Sequence, residues 1–278
     1  MADLNSIAAK RSAYQDSLLA EFEKQLREMV DRAKDRVVAK LQKGLSVTDG
    51  MIDQTPGNFR ALRNLNSLFV KEMDRAGLPR LLEAFVEQFH GQLPYLQDTL
   101  KYLSDQMKTP LPKWKPSAND LDIMSSFQMN ALAGLRATVE SAAGAAMTRG
   151  MFSMGGLKFS ELVAELSKRF DLSIGQARTL GDTSMSLFYA TATDRAYQTI
   201  EKDLPGEQEL TYEYSGPDDK LTREFCEHLL AVGKSYTRSQ IGRMSNGQLP
   251  NVFITRGGWN CRHQWDLSVE DLQAALAA

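Results

Sequence analysis

The chain has 278 residues, 42% hydrophobic and 24% charged, with a formal net charge of −2 at pH 7. That balance is the one expected of a soluble globular protein with one large domain or two ordinary ones, and it excludes a global positive field, so a nucleic acid would be met by one face only. No run of about 18 apolar residues reads as a membrane span, residues 1–10 lack the apolar core of an export signal, and two cysteines make no disulfide framework, which fits a reducing cytoplasm.

Residues 4–45 read as one long helix. Leu18, Leu19, Phe22, Leu26, Met29, Val30, Val37, Val38 and Leu41 recur in steps of three and four, which places them on one stripe. A turn at Thr55-Pro56-Gly57-Asn58 leads to a helix over 59–75, closed by Gly77 with Pro79 behind it. A third helix over 79–107 carries Leu82, Phe85, Phe89, Leu96, Leu100 and Leu103, with Pro94 as a point of kinking or splitting. Pro110, Pro112 and Pro116 mark 108–116 as the clearest linker. Ser117 to Asp120 then supplies capping residues for a helix to about residue 147. Residues 129–157 are the least polar stretch, but Arg136, Glu140 and Arg149 interrupt it, as in a packed helix. A Gly-rich break over 150–156 follows, with 147–154 as a joint between helical layers; the Gly-rich run lacks the spacing of a phosphate loop. Helices over 158–170 and 174–202, separated by a turn at Asp171-Leu172-Ser173, end at Pro205-Gly206.

After Gly206 the texture changes. Residues 209–214 alternate like a strand, 215–219 form a turn, and 221–232 form a short helix. Asn246-Gly247 and Gly257-Gly258 are turn signals, and residues 252–255 read as a short strand. The fold class is therefore mainly α: an elongated helical body followed by a small α+β C-terminal module. Its parts are an N-terminal helical region (1–107), a Pro-rich linker (108–116), a second helical region (117–205) and the module (206–278).

Both cysteines and two of the three histidines fall in the module, each pair as Cys-x-His: Cys226 with His228, and Cys261 with His263. Two thiolates and two imidazoles are a ligand set for zinc, and a small module gains most from a metal. One geometric objection is visible at once. If Cys226 and His228 share a helix, they point about 200° apart, whereas Cys261 and His263 converge in an extended segment. Three other readings stay open. The cysteines pack against each other with His228 at the surface, they undergo redox chemistry, or a thiolate–imidazolium pair oriented by Asp218 or Asp219 serves a hydrolase. Among the module's arginines, Arg256 and Arg262 are the candidates for phosphate contact, with Trp259 and Trp265 nearby; the alternative is that the Trp rings form the core and the arginines solvate its rim.

The order of these motifs resembles a known family. Gly216-Pro217-Asp218-Asp219, Thr222-Arg223, Phe225-Cys226 and then Gly257-Gly258-Trp259-Asn260-Cys261-Arg262-His263 are similar to the C-terminal module of the phage Mu protein F-like minor head proteins. The Ala/Arg/Thr-rich stretches 176–180 and 191–196 resemble the helix that leads into it, so the likeness covers roughly 174–267. The family typically closes on Cys-Arg-Cys or Cys-Arg-His, and this chain has the latter. The resemblance implies a structural virion protein, not an enzyme, acting in head morphogenesis through portal or major capsid protein. It implies a multicopy or homo-oligomeric assembly, placed in the virion and in the host cytoplasm during assembly, with packaged DNA as a further partner. An internal, DNA-associated or ejected virion protein is the alternative within that frame, and a Cys- or metal-dependent hydrolase the alternative outside it. About a dozen residues follow Trp265, fewer than the roughly 50 of an appended catalytic domain.

Overall fold

The computed structural model describes residues 3–108, 110–111, 114–141, 157–203 and 209–277. The Gly-rich break, the 147–154 joint, the Pro205-Gly206 stop and part of the Pro-rich linker lie outside the described residues.

The chain is mainly α, with a few short strands near its C-terminus. Helix α1 (Leu4–Gly44) forms as its periodicity predicts. Leu19, Phe22, Leu26, Met29, Val30, Val37 and Leu41 are all buried, so the stripe is consumed inside the fold. A hairpin of β1 (Val47–Thr48) and β2 (Met51–Ile52) follows. Its turn residues Asp49 and Gly50 both have positive φ, 49° and 77°, as a primed two-residue turn requires.

The helix expected over 59–75 is two helices, α2 (Pro56–Arg63) and α3 (Leu65–Ala76), parted at Asn64. Thr55 caps α2 by accepting from the Asn58 amide at 3.2 Å. The helix expected over 79–107 is likewise divided into α4 (Leu78–Glu87), a 3-10 turn (Gln88–Gln92) and α5 (Leu93–Met107). Pro94 falls in the first turn of α5, where a missing N–H breaks no helical bond. Helix α6 (Ala118–Glu140) opens on a reciprocal cap: the Ser117 hydroxyl accepts from the Asp120 amide at 3.2 Å, and the Asp120 carboxylate accepts from the Ser117 amide at 2.9 Å.

Helix α7 (Phe159–Asp203) corrects the turn expected at 171–173. The Ser173 hydroxyl donates to the Phe170 carbonyl at 2.8 Å, satisfying itself inside the helix. Phe170 and Ile174 are buried on either side, and that continuing stripe outweighs the turn preference of two polar residues.

The C-terminal module holds β3 (Thr211–Ser215), α8 (Glu224–Val232), β4 (Ser235–Thr237), α9 (Arg238–Gly242), α10 (Val252–Thr255), β5 (Gln264–Leu267) and α11 (Val269–Ala277). Its sheet is antiparallel in the order β4-β3-β5, with Tyr212 opposite both Tyr236 and Leu267, and Tyr214 opposite Trp265. The segment 252–255 is a helical turn, not the strand expected. Val252 and Phe253 are adjacent and both buried, which a half-exposed strand does not allow.

Two compact units emerge, neither continuous in sequence: one comprises 1–17, 88–129 and 182–278, the other 18–87 and 130–181. They differ from the sequential partition because α1, α6 and α7 each divide between them. In the second unit Phe22 stacks on Phe85 at 4.2 Å and Phe69 on Phe170 at 4.3 Å. In the first, Phe89 meets Phe188 edge-on at 5.8 Å.

Candidate metal centre

Three segments of the module converge on its two cysteines. Cys226 sits in the first turn of α8, Cys261 and His263 in the extended segment that enters β5, and Tyr214 on the central strand β3. Alternate residues of a strand share a face, so Tyr212 and Tyr214 are buried while Glu213 is exposed. The Tyr214 and His263 rings lie nearly parallel, 8° apart in plane with centroids at 5.3 Å.

Cys226 Sγ stands 4.0 Å from Cys261 Sγ, and Cys261 Sγ stands 3.7 Å from His263 Nδ1. The ligand atoms of Cys226, Cys261 and His263 all lie within 4.8 Å of one another, and all three residues are buried. The Tyr214 hydroxyl is 3.3 Å from Cys226 Sγ and 3.6 Å from Cys261 Sγ. Overhead, the Gly257 amide donates to Cys261 Sγ at 3.1 Å. A Cβ at position 257 would stand 2.2 Å from Cys226 Sγ, so the backbone passes this close only because the residue is glycine.

The electrostatics separate the two thiols. A hydrogen bond from Cys226 holds Cys261 well below the usual thiol range, helped by His263 and the Arg256 guanidinium and opposed by burial. The same contact, followed by burial, pushes Cys226 up. Burial, then the adjacent sulfurs, raises the Tyr214 phenol. The two thiols are therefore coupled, and a charge on one opposes a charge on the other.

The remaining residues singled out in the sequence lie elsewhere or are engaged. His228 is exposed on α8 and is not one of the clustered residues; two positions along a helix carry it to the far side from Cys226. Arg256 is 1% exposed, which removes it from any phosphate contact. Its guanidinium donates to the carbonyls of His263 at 2.9 Å, Ile254 at 3.2 Å and Ser186. Arg262 grips Asp219 with both nitrogens, at 2.8 and 2.6 Å. That fork geometry holds the Asp219 carboxyl well below its usual range and occupies both the proposed phosphate contact and one proposed orienting carboxylate. Asp218 is exposed.

Tyr214 and Gly257 were not anticipated at the site, although strand alternation at 209–214 and the Gly257-Gly258 pair carried the signal. The inward role of Arg256 had no signal at all. Chemically, two buried thiols and an imidazole this close together can hold a metal cation. Among the described residues no helix is long and apolar enough to cross a membrane. Compared with protein-family models, with curated proteins and with solved structures, the chain finds no match in any of the three.

Proposed function

We propose that this chain is a structural protein of a tailed-phage virion: a minor head protein that acts in head morphogenesis through portal or major capsid protein. One observation supports a structural reading over a catalytic one. The residues that carry the motif resemblance are engaged with each other. Arg223 donates to the Gly257 carbonyl at 3.0 Å, Arg262 binds Asp219, and Gly216 lies against His263, where a Cβ would meet the ring at 2.7 Å. Asn260 donates its amide to Thr183 at 3.1 Å. Cys226 and Cys261 are 2% and 4% exposed, whereas a nucleophile must reach its substrate. Residues arranged this way build a rigid module for an assembly to use. Partner surfaces are then to be sought outside the α1 stripe, which the fold already buries.

Mass spectrometry of mature particles, paired with an amber mutant of the gene, tests this reading. The chain is expected in purified particles, and its loss is expected to yield defective heads. Normal heads from the mutant, with the chain absent from wild-type particles, would overturn it.

A further inference from the structure

We propose that the module carries a structural site for one zinc-class cation, bound by Cys226 Sγ, Cys261 Sγ and His263 Nδ1, with the Tyr214 hydroxyl at the fourth corner. The argument begins with distances. In a tetrahedral zinc site with Zn–S near 2.3 Å and Zn–N or Zn–O near 2.0 Å, neighbouring ligands stand about 3.8 Å apart for S···S and about 3.5 Å apart for S···N or S···O. The corresponding edges here are 4.0 Å between the sulfurs, 3.7 Å from Cys261 to His263, and 3.3 and 3.6 Å from the sulfurs to Tyr214. Four edges of one tetrahedron are therefore already close to length. A disulfide requires about 2.05 Å between the sulfurs, half of what the structure has.

Charge and second contacts point the same way. Two thiolates neutralise a dication, so the buried centre carries no net charge, and binding releases the two thiol protons to solvent. The Gly257 amide already donates to Cys261 Sγ, the kind of backbone contact that orients a metal thiolate. With Nδ1 on the ion, His263 carries its proton on Nε2, which is buried without a hydrogen-bond partner among the described residues. The imidazole is oriented by its stack on Tyr214 and by the Arg256 bond to its carbonyl, in place of the usual acceptor behind a metal-bound histidine. The ligand set differs from the one the sequence suggests: Tyr214 stands where His228 was expected. The inference does not depend on the virion role.

The full-length chain, purified under reductant without chelator, is the material for the test. Bound zinc near one per chain is expected. Replacement by cobalt is expected to give the visible bands of a tetrahedral ion together with a thiolate-to-metal charge-transfer band. His228→Ala is expected to keep the metal, whereas Cys226→Ser and Cys261→Ser lose it. Tyr214→Phe removes a direct ligand, so it is expected to weaken retention against a chelator by more than the roughly 10–100-fold that loss of an outer contact costs. Should the cysteine variants fail to fold, the cobalt spectrum of the unmodified chain still decides, since its charge-transfer intensity counts the thiolates. A folded chain with two free thiols that takes up neither zinc nor cobalt overturns the proposal. So does cobalt uptake that persists unchanged in both cysteine variants.

Discussion

The unit formed by 18–87 and 130–181 and the C-terminal module both bury a carboxylate, and they do so in opposite ways. Glu72, 1% exposed, is met by Lys40 at 2.6 Å, Arg75 at 2.9 Å and Arg36 at 3.8 Å, whose own side chains remain about half exposed. Lys40 foremost holds its pKa below the usual glutamate value, against burial. Asp266 is 0% exposed. It accepts from the Tyr197 hydroxyl at 3.2 Å, from the Gln264 amide at 3.0 Å and from Ser215, and burial raises its pKa despite them. A helical layer leaves a rim from which long basic side chains reach inward. Around Asp266 the hydrogen-bond donors are neutral side chains instead, from β3, from β5 and from Tyr197 on α7. Both regions also pack aromatic rings, Phe69 on Phe170 in the helical unit and Tyr214 on Trp265 in the module, so the contrast lies in the buried polar groups, which in the module include Arg256, bonded to three backbone carbonyls.

The largest expected effect sets the apolar reference for this contrast. Phe69→Ala removes a fully buried ring stacked on Phe170 and should cost about 3–5 kcal/mol in denaturant unfolding, while Phe69→Leu should cost less than about 1.5 kcal/mol. The buried Arg256 should show no such forgiveness. Arg256→Met leaves the buried His263 carbonyl without this donor, at about 1–3 kcal/mol for the group so orphaned, and removes a further contact from the Ser186 carbonyl inside α7. Arg256→Lys should recover little, because an ammonium cannot fork to both; recovery to within measurement error would break the comparison.

Two glycines sharpen it further. Gly257→Ala drives a methyl into Cys226 Sγ and should destabilise by about 1–3 kcal/mol. Gly175→Ala, inside α7 with nothing within 4 Å of the added carbon, should stabilise by about 0.5–1 kcal/mol. The smallest effects are in pH dependence, and they carry opposite signs. Glu72 is depressed, so its contribution is present above the unfolded value and is lost as pH falls through the folded one. Asp266 is raised, so the stability linked to its protonation is present below the unfolded value, near 4, and fades as pH rises toward the folded one. Unfolding titrations of Glu72→Gln and Asp266→Asn between about pH 3 and 7 should each remove one of these slopes. Parallel changes in the two variants would refute the distinction.

The helices were legible wherever a 3.6-residue stripe ran unbroken, as in α1, and the end of a helix was legible wherever glycine or proline enforced it, as at Gly77. Local signals failed where tertiary burial outweighed them. Ser173 bonds back into α7, and Val252 and Phe253 turn helical because both must be covered. The short strands β4 and β5 left no periodicity to read, and the hairpin turning at Asp49-Gly50, with strands of two residues each, was not anticipated.

Residue chemistry and spacing along the chain sufficed to nominate Cys226, Cys261 and His263, and to show that a histidine two places along a helix from Cys226 points elsewhere. Only the tertiary structure decided that the Tyr214 hydroxyl stands beside both sulfurs, that Arg256 faces inward and that Arg262 is taken by Asp219. The physical reason is that ligand sets and buried charges are defined by atoms brought together from segments far apart in the chain, here strand β3, helix α8 and the entry to β5. Periodicity describes only how each segment buries its own face.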